Sequence, residues 1–331
     1  MNIDVHAHYV PPDSLQVASE IGKRHGLKLD KNERGREILL RDGETFLTRP
    51  KAEFTDLDLR LSIMDQQGVE MQVLSPASSY YFYWMALEES LEFASWLNDR
   101  FAEAIAKHPK RMVALGSVPM QDGHKAATEL ERAVRRLGLR GVEVASNVNG
   151  LYFDDPGFNS FWEAAQALNA LIFVHPNQVV GAERMKDYNL TNLIGNPTDT
   201  SLAFAKLIFS GVLERFPRLK FLLAHAGGFI PYTWGRLDRG FRIQDSATSK
   251  IPKPPSEYIK LLHFDTVTHS STALEYLVVN FGAEKVLLGS DYPYEMGDPE
   301  PVESLRKAAI PAAQRELISS ANAYRLLGIG V

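Results

Sequence analysis

The sequence predicts an α/β fold closed into a (β/α)8 barrel, and three observations carry that expectation. Continuous apolar runs of strand length alternate with longer stretches of helical periodicity along the 331 residues. Eight such runs can be counted, enough for a parallel sheet to close on itself instead of staying open. The first run ends in His6-Ala7-His8, where a doubly wound nucleotide-binding fold would carry a glycine-rich phosphate turn.

The expected strands lie at residues 3–6, 71–75, 112–118, 141–145, 171–174, 220–224, 263–267 and 285–289. They are rich in Val, Ile, Leu and Phe without strict alternation, as strands covered on both faces require. Helical patterns fill the intervals at 56–67, 88–108, 124–137, 158–169, 200–216 and 272–281. Asp122, Asp155 and Thr198 are placed to cap helix starts, because their side-chain oxygens can accept a first-turn N–H.

Residues 11–52 break this rhythm. They are charged, and the run from Glu37 to Phe46 reads as a β-hairpin turning through Asp42-Gly43. A small β-hairpin insertion after strand one, packed over the barrel mouth, is therefore expected. The stretch 246–255, with three prolines and two lysines, predicts an exposed loop, and 301–327 adds two helical patterns that close the bottom or side. The length suits a single domain spanning 1–331, with 11–52 as its insertion.

Composition excludes several function classes. The chain has 36 Lys and Arg against 41 Asp and Glu, a formal charge of −5, and no basic stripe, so no nucleic-acid partner is expected. No run approaches the roughly 18 apolar residues of a membrane span. The first residues already read as strand, leaving no room for a signal peptide, so the expected location is cytoplasmic. With no cysteine, disulfides and thiolate chemistry are ruled out. Any metal must rest on imidazole and carboxylate, which suits zinc or a neighbouring divalent ion.

The candidate site follows from where polar residues end the apolar runs. His6 and His8 are two apart, so on a strand they share a face and can grip one ion from the same side. His175 closes 171–174, His225 closes 221–224, and Asp291 follows 286–290. Parallel barrels carry their chemistry at this end of the strands.

These residues resemble the amidohydrolase superfamily, in the branch typified by α-amino-β-carboxymuconate-ε-semialdehyde decarboxylase. The resemblance is carried by His6-X-His8, His175-Pro176, His225-Ala226-Gly227-Gly228 and Gly289-Ser290-Asp291-Tyr292-Pro293, in that order. Met64-Asp65-X-X-Gly68-Val69, Phe82-Tyr83-Trp84, Gly116-Ser117-Val118-Pro119-Met120 and Gly235-Arg236 extend it over nearly the whole chain. It implies a distorted (β/α)8 TIM barrel and one divalent metal, usually zinc, with manganese an alternative. His6, His8, His175 and Asp291 would be ligands and His225 the catalytic base beside a metal-bound water. The implied activity is non-oxidative decarboxylation. Arg236 matches an arginine that reaches into a partner subunit's site, which implies a homodimer or higher homo-oligomer.

The sequence departs from that branch where substrate is read. Leu47 stands at a carboxylate-binding arginine position, with Arg49 two residues on, Asn177 replaces a tryptophan, and Glu295 adds an acid. The strand at 141–145 has no lysine to carry a second metal. Tyr80 to Trp84 offer an aromatic wall for a planar substrate. The expected substrate is thus a small unsaturated or aromatic carboxylic acid, contacted by Arg236, Asn177, Trp84 and Arg49. The alternative reading is a hydrolase or hydratase using the same metal site on a lactone, amide or enol.

Overall fold

The structure, a computed structural model, describes residues 1–243 and 250–330. The loop expected at 246–255 lies outside the described residues over its first part, 246–249. Among the described residues there are eleven strands: β1 (Ile3–Tyr9), β2 (Leu27–Lys31), β3 (Glu37–Arg41), β4 (Glu44–Thr48), β5 (Met71–Pro76), β6 (Met112–Ala114), β7 (Gly141–Ala145), β8 (Leu171–His175), β9 (Lys220–Leu223), β10 (His263–Asp265) and β11 (Val286–Leu287).

All the strands expected from the apolar runs form, and they pair in parallel, in the order β1-β5-β6 in one sheet and β11-β10-β9-β8-β7 in another. The ladder is not one closed ring. Between the two sheets lie single parallel bridges, Gly116 to Val142 and Ala7 to Tyr292. The reason is local competition for backbone groups. Asn98 takes both the N–H and the carbonyl of Ser117, at 2.7 and 2.9 Å, so the run 112–118 pairs as strand only to Ala114. At the other junction the N–H of Gly289 goes to Thr266 Oγ1 and that of Ser290 to Asp4 Oδ1.

Helices cover the outer faces. Asp56 caps Leu57–Gln67 by accepting from Asp58 and Leu59 N–H, and Asp122 caps Gly123–Arg135 in the same way. Thr198 does not cap: it lies inside Asn196–Phe209 and its hydroxyl donates back to the Ile194 carbonyl at 2.7 Å. The expected helix 200–216 is split at Gly211, whose φ of 74° ends one segment before Val212–Arg215 begins. Phe93, Leu97, Phe101 and Ala104 form the buried stripe of Leu87–Lys107. Trp162, Phe161, Phe204, Phe221 and Phe264 are fully buried, and each such side chain contributes roughly 1.5–3 kcal/mol of burial free energy.

The stretch after β1 contains a helix, Ser14–Ile21, and an antiparallel sheet of β2, β3 and β4. Asp42 and Gly43 turn between β3 and β4 at φ 52° and 87°. The pairing of β2 with β3 was not foreseen, because the alternating charges of Leu27–Lys31 look like loop. No helix among the described residues is long and apolar enough to cross a membrane.

Candidate metal centre

His6 and His8 project from β1 into the interior, His175 ends β8, and Asp291 follows β11. All four are buried, and one ligand atom from each lies within 4.8 Å of the others. His6 Nε2 is 3.1 Å from His8 Nε2, and the two are 3.2 and 3.1 Å from Asp291 Oδ1.

The far side of each ring decides what the near side offers. His8 Nδ1 faces the Pro76 carbonyl at 2.8 Å and His175 Nδ1 the Pro176 carbonyl at 3.0 Å. A carbonyl only accepts, so both rings carry their proton on Nδ1 and turn an Nε2 lone pair inward. His6 Nδ1 meets Asp265 Oδ2 at 2.6 Å, with the same consequence. His175 Nε2 is buried with no hydrogen-bond partner among the described residues. Three inward lone pairs and a carboxylate, with the second ring nitrogens tied outward, fit one divalent cation.

Electrostatics give the same answer. Burial works against a charged His6, yet Asp291 and Asp265 outweigh it and raise the ring to about 10 when a proton is the only cation present. Burial and then the His8, His225 and His6 rings hold His175 well below its usual range. Asp291 stays well below the carboxylate range despite burial, because His6 and His225 stand beside it.

His225 approaches from the other side, its Nε2 3.4 Å from Asp291 Oδ2, and its side chain stays 20% exposed. His225 and Ala226 are left-handed, at φ 52° and 54°, and Gly227 and Gly228 follow at positive φ. A Cβ on Gly228 would meet the Pro197 carbonyl at 2.4 Å, so the turn can pass here only with glycine.

A buried network fixes β1 to the Ser290-Asp291 segment. Asp4 accepts from the N–H of His6 and Ser290, from Ser290 Oγ at 2.6 Å and from Gln72 at 2.8 Å. Arg60, also fully buried, donates to Gln72 and to the His8 carbonyl at 2.7 and 2.6 Å. Burial lowers the Arg60 guanidinium to about 10. Asp4, Arg60, Asp265 and Glu143 were all missed as site-supporting residues in the sequence. The available signal was a charge inside or beside an apolar run, since such a residue is buried only with partners. Glu143, on the lysine-free β7, is hydrogen-bonded to Tyr81, and burial raises its carboxyl.

A cavity of about 1250 Å³ opens over the cluster, bordered by His175, His225, Asp291, Asn177, Phe229 and Tyr294 among others. The expected substrate residues divide. Asn177 borders this cavity, with its amide donating to the Ser78 carbonyl. Trp84 instead lines a smaller cavity of about 210 Å³ with Tyr81, Phe82 and Tyr83, and the Arg41 guanidinium stacks 3.6 Å from its ring centre. The aromatic stretch is therefore mostly core, and Tyr80 to Tyr83 are buried. Arg49 pairs with Glu37 at 2.7 Å and borders neither cavity; Lys51 borders the larger one, paired with Glu295 at 2.7 Å. Arg236 is exposed on helix Ile230–Ile243 and does not line its own chain's cavity.

Residues 3–329 match the family model described as Amidohydrolase, and the chain belongs to that family. Within it, the chain is 34% identical to 2-amino-3-carboxymuconate-6-semialdehyde decarboxylase of Dictyostelium discoideum, over 99% of this chain and 92% of the relative. It is 30% identical to gamma-resorcylate decarboxylase of Polaromonas sp. (strain JS666), over 81% of this chain and 86% of that one. Among solved structures, 5-carboxyvanillate decarboxylase from Sphingomonas paucimobilis superposes with a TM-score of 0.85 at 27% identity, covering 99% of each chain. The fold is shared too by dihydroxybenzoic acid decarboxylase from Polaromonas sp. JS666, solved with bound manganese and an inhibitor, at a TM-score of 0.81, 24% identity and coverage of 99% and 97%.

Proposed function

We propose that this protein is a metal-dependent non-oxidative decarboxylase of an unsaturated or aromatic carboxylic acid. The observation that carries the reading is the set of inward Nε2 atoms of His6, His8 and His175 beside Asp291, clustered where His175, Asp291 and His225 border the large cavity. Decarboxylase relatives at 34% and 30% identity support the reaction class. In this reading 1–331 is one domain, a distorted (β/α)8 barrel with 11–52 as an insertion, and it works in the cytoplasm.

His6, His8, His175 and Asp291 would hold one divalent ion, zinc first and manganese as the alternative. Bound there, the ion would act as a Lewis acid, drawing charge from a substrate oxygen. His225 faces the cavity with its Nε2 3.4 Å from Asp291 Oδ2, placed to carry a proton to the substrate. When the carboxyl carbon leaves as carbon dioxide, the electron pair of the broken C–C bond passes into the conjugated system. The vacated carbon then takes the proton that His225 carries. Phe229 and Tyr294 border the space above and keep water from competing for that carbon. Asn177 orients the substrate from the wall. Trp84 reaches it only through the smaller cavity, and Arg49 only if its pair with Glu37 opens.

Arg236 serves a partner's site in this reading. It lies one helical turn from Tyr232, which is 82% exposed, and Leu193, Phe229 and Tyr276 add exposed apolar surface around the cavity mouth. Such a patch suits a second copy of the chain.

The test is a screen of dihydroxybenzoates, a carboxyvanillate and carboxymuconate analogues, with zinc or manganese added, for carbon dioxide release. Release from at least one acid is expected. Turnover of lactones, amides or enols without carbon dioxide would replace this reading by a hydrolase or hydratase.

A further inference from the structure

One carboxylate outside both the donor set and the cavity touches both halves of the site. Asp265, the last residue of β10, is fully buried and does not border the cavity. Its Oδ2 accepts from His6 Nδ1 at 2.6 Å and from the His225 N–H at 2.9 Å. Its Oδ1 accepts from the N–H of Ala226 at 2.7 Å and of Val267 at 3.1 Å. Among the described residues only N–H donors converge on it, so both oxygens must accept.

Each contact has its own effect. The bond to His6 keeps the ring proton on Nδ1 and leaves Nε2 free to face the cluster. The bonds to His225 and Ala226 hold two left-handed residues, a conformation that residues other than glycine rarely adopt. The chain packs tightly around the carboxylate: a Cβ on Gly289 would stand 2.9 Å from Asp265 Cβ and 3.0 Å from His6 Cβ.

We infer that Asp265 is a positioning residue that orients the ligand His6 and the proton carrier His225 at once, through one shared carboxylate. The inference rests on the roles proposed above for those two histidines. An asparagine at 265 would turn an NH2 group onto N–H donors in either orientation, so the tautomer of His6 and the turn at His225 cannot both survive.

The test is Asp265→Asn, with far-ultraviolet circular dichroism to verify the fold. Affinity for manganese or zinc, read by competition with a chromophoric chelator, should fall roughly 10- to 100-fold. At saturating metal, kcat should still fall by about 10-fold or more with KM little changed, the size expected when a proton carrier is misplaced. In a His225→Ala background the substitution should no longer lower kcat, while its cost in metal affinity persists; a residue that merely held the fold would lower both in either background. Unchanged metal affinity, or an undiminished effect on kcat in the His225→Ala background, overturns the inference. The metal arm needs no substrate, so an inactive wild type would count against the decarboxylase reading and leave the affinity measurement to decide here. If Asp265→Asn does not fold, ¹⁵N-histidine spectra of the zinc-loaded wild type decide. A His6 Nδ1–H resonance downfield of those of His8 and His175 supports the carboxylate bond, and an unprotonated His6 Nδ1 overturns it.

Discussion

His6 Nε2 and His8 Nε2 face each other across 3.1 Å while both rings are tied by Nδ1 to acceptors on their outer sides. Two inward lone pairs at that separation repel unless a positive centre stands between them. Asp291, at 3.2 and 3.1 Å from the two nitrogens, adds negative charge to the same point. The site is built around a cation.

Purified protein should therefore contain about one divalent ion per chain, and His8→Ala should lose it. Elemental analysis after dialysis checks this. Stoichiometric metal in the variant would remove His8 from the ligand set.

Metal affinity should depend on pH in a direction set by His6. Burial opposes its charge, but Asp291 and Asp265 raise it from 6.5 to about 10 in the metal-free chain. A raised value means the charged ring stabilises the metal-free fold fully below about pH 6.5 and loses that contribution as pH rises through about 10. An incoming ion must displace this proton, so affinity should climb with pH up to about 10, with about one proton released per ion. Calorimetry in buffers of different ionisation enthalpy counts the protons; a pH-independent affinity would contradict the arrangement.

His225→Asn should separate proton transfer from metal binding. Turnover should fall by roughly 10²- to 10⁴-fold, the usual loss for a general acid or base, with metal content near normal. If the metal is lost as well, His225 is a ligand and some other group carries the proton.

Arg236 tests the assembly. Arg236→Ala and His225→Ala chains should each be nearly inactive, yet a heterodimer of the two would hold one site with both groups intact. Loss of one partner of a buried carboxylate pair costs roughly 2–5 kcal/mol, so recovery on mixing should be easily seen. No recovery in confirmed heterodimers would return Arg236 to its own subunit or exclude it from the site.

That His6, His8, His175, Asp291 and His225 come together was legible because strand geometry leaves little freedom: a polar residue ending a buried parallel run tends to face the interior. His175, His225 and Asp291 each end such a run, and the spacing of His6 and His8 places them on one face. What the loops do was not legible. Arg49 and Lys51 are two residues apart after β4, and nothing in their spacing tells that Arg49 pairs with Glu37 while Lys51 borders the cavity. The aromatic run Tyr80 to Trp84 looks the same whether it walls a substrate or fills a core, since both need apolar area, and most of it is core. Asp265 was hidden differently. One acid after Phe264 tells only that it must be buried with partners, and those partners come from the distant His6 and from the backbone of the turn at His225.

If the decarboxylation depends on one ion in this cluster, a metal titration of carbon dioxide release must show it. Protein stripped by a chelator is supplied with increasing zinc or manganese and the acid found active in the screen. Carbon dioxide release should be absent at first, rise linearly, and saturate at about one ion per chain, with none from His8→Ala at any metal concentration. Release from the stripped protein, or from His8→Ala, would contradict the account.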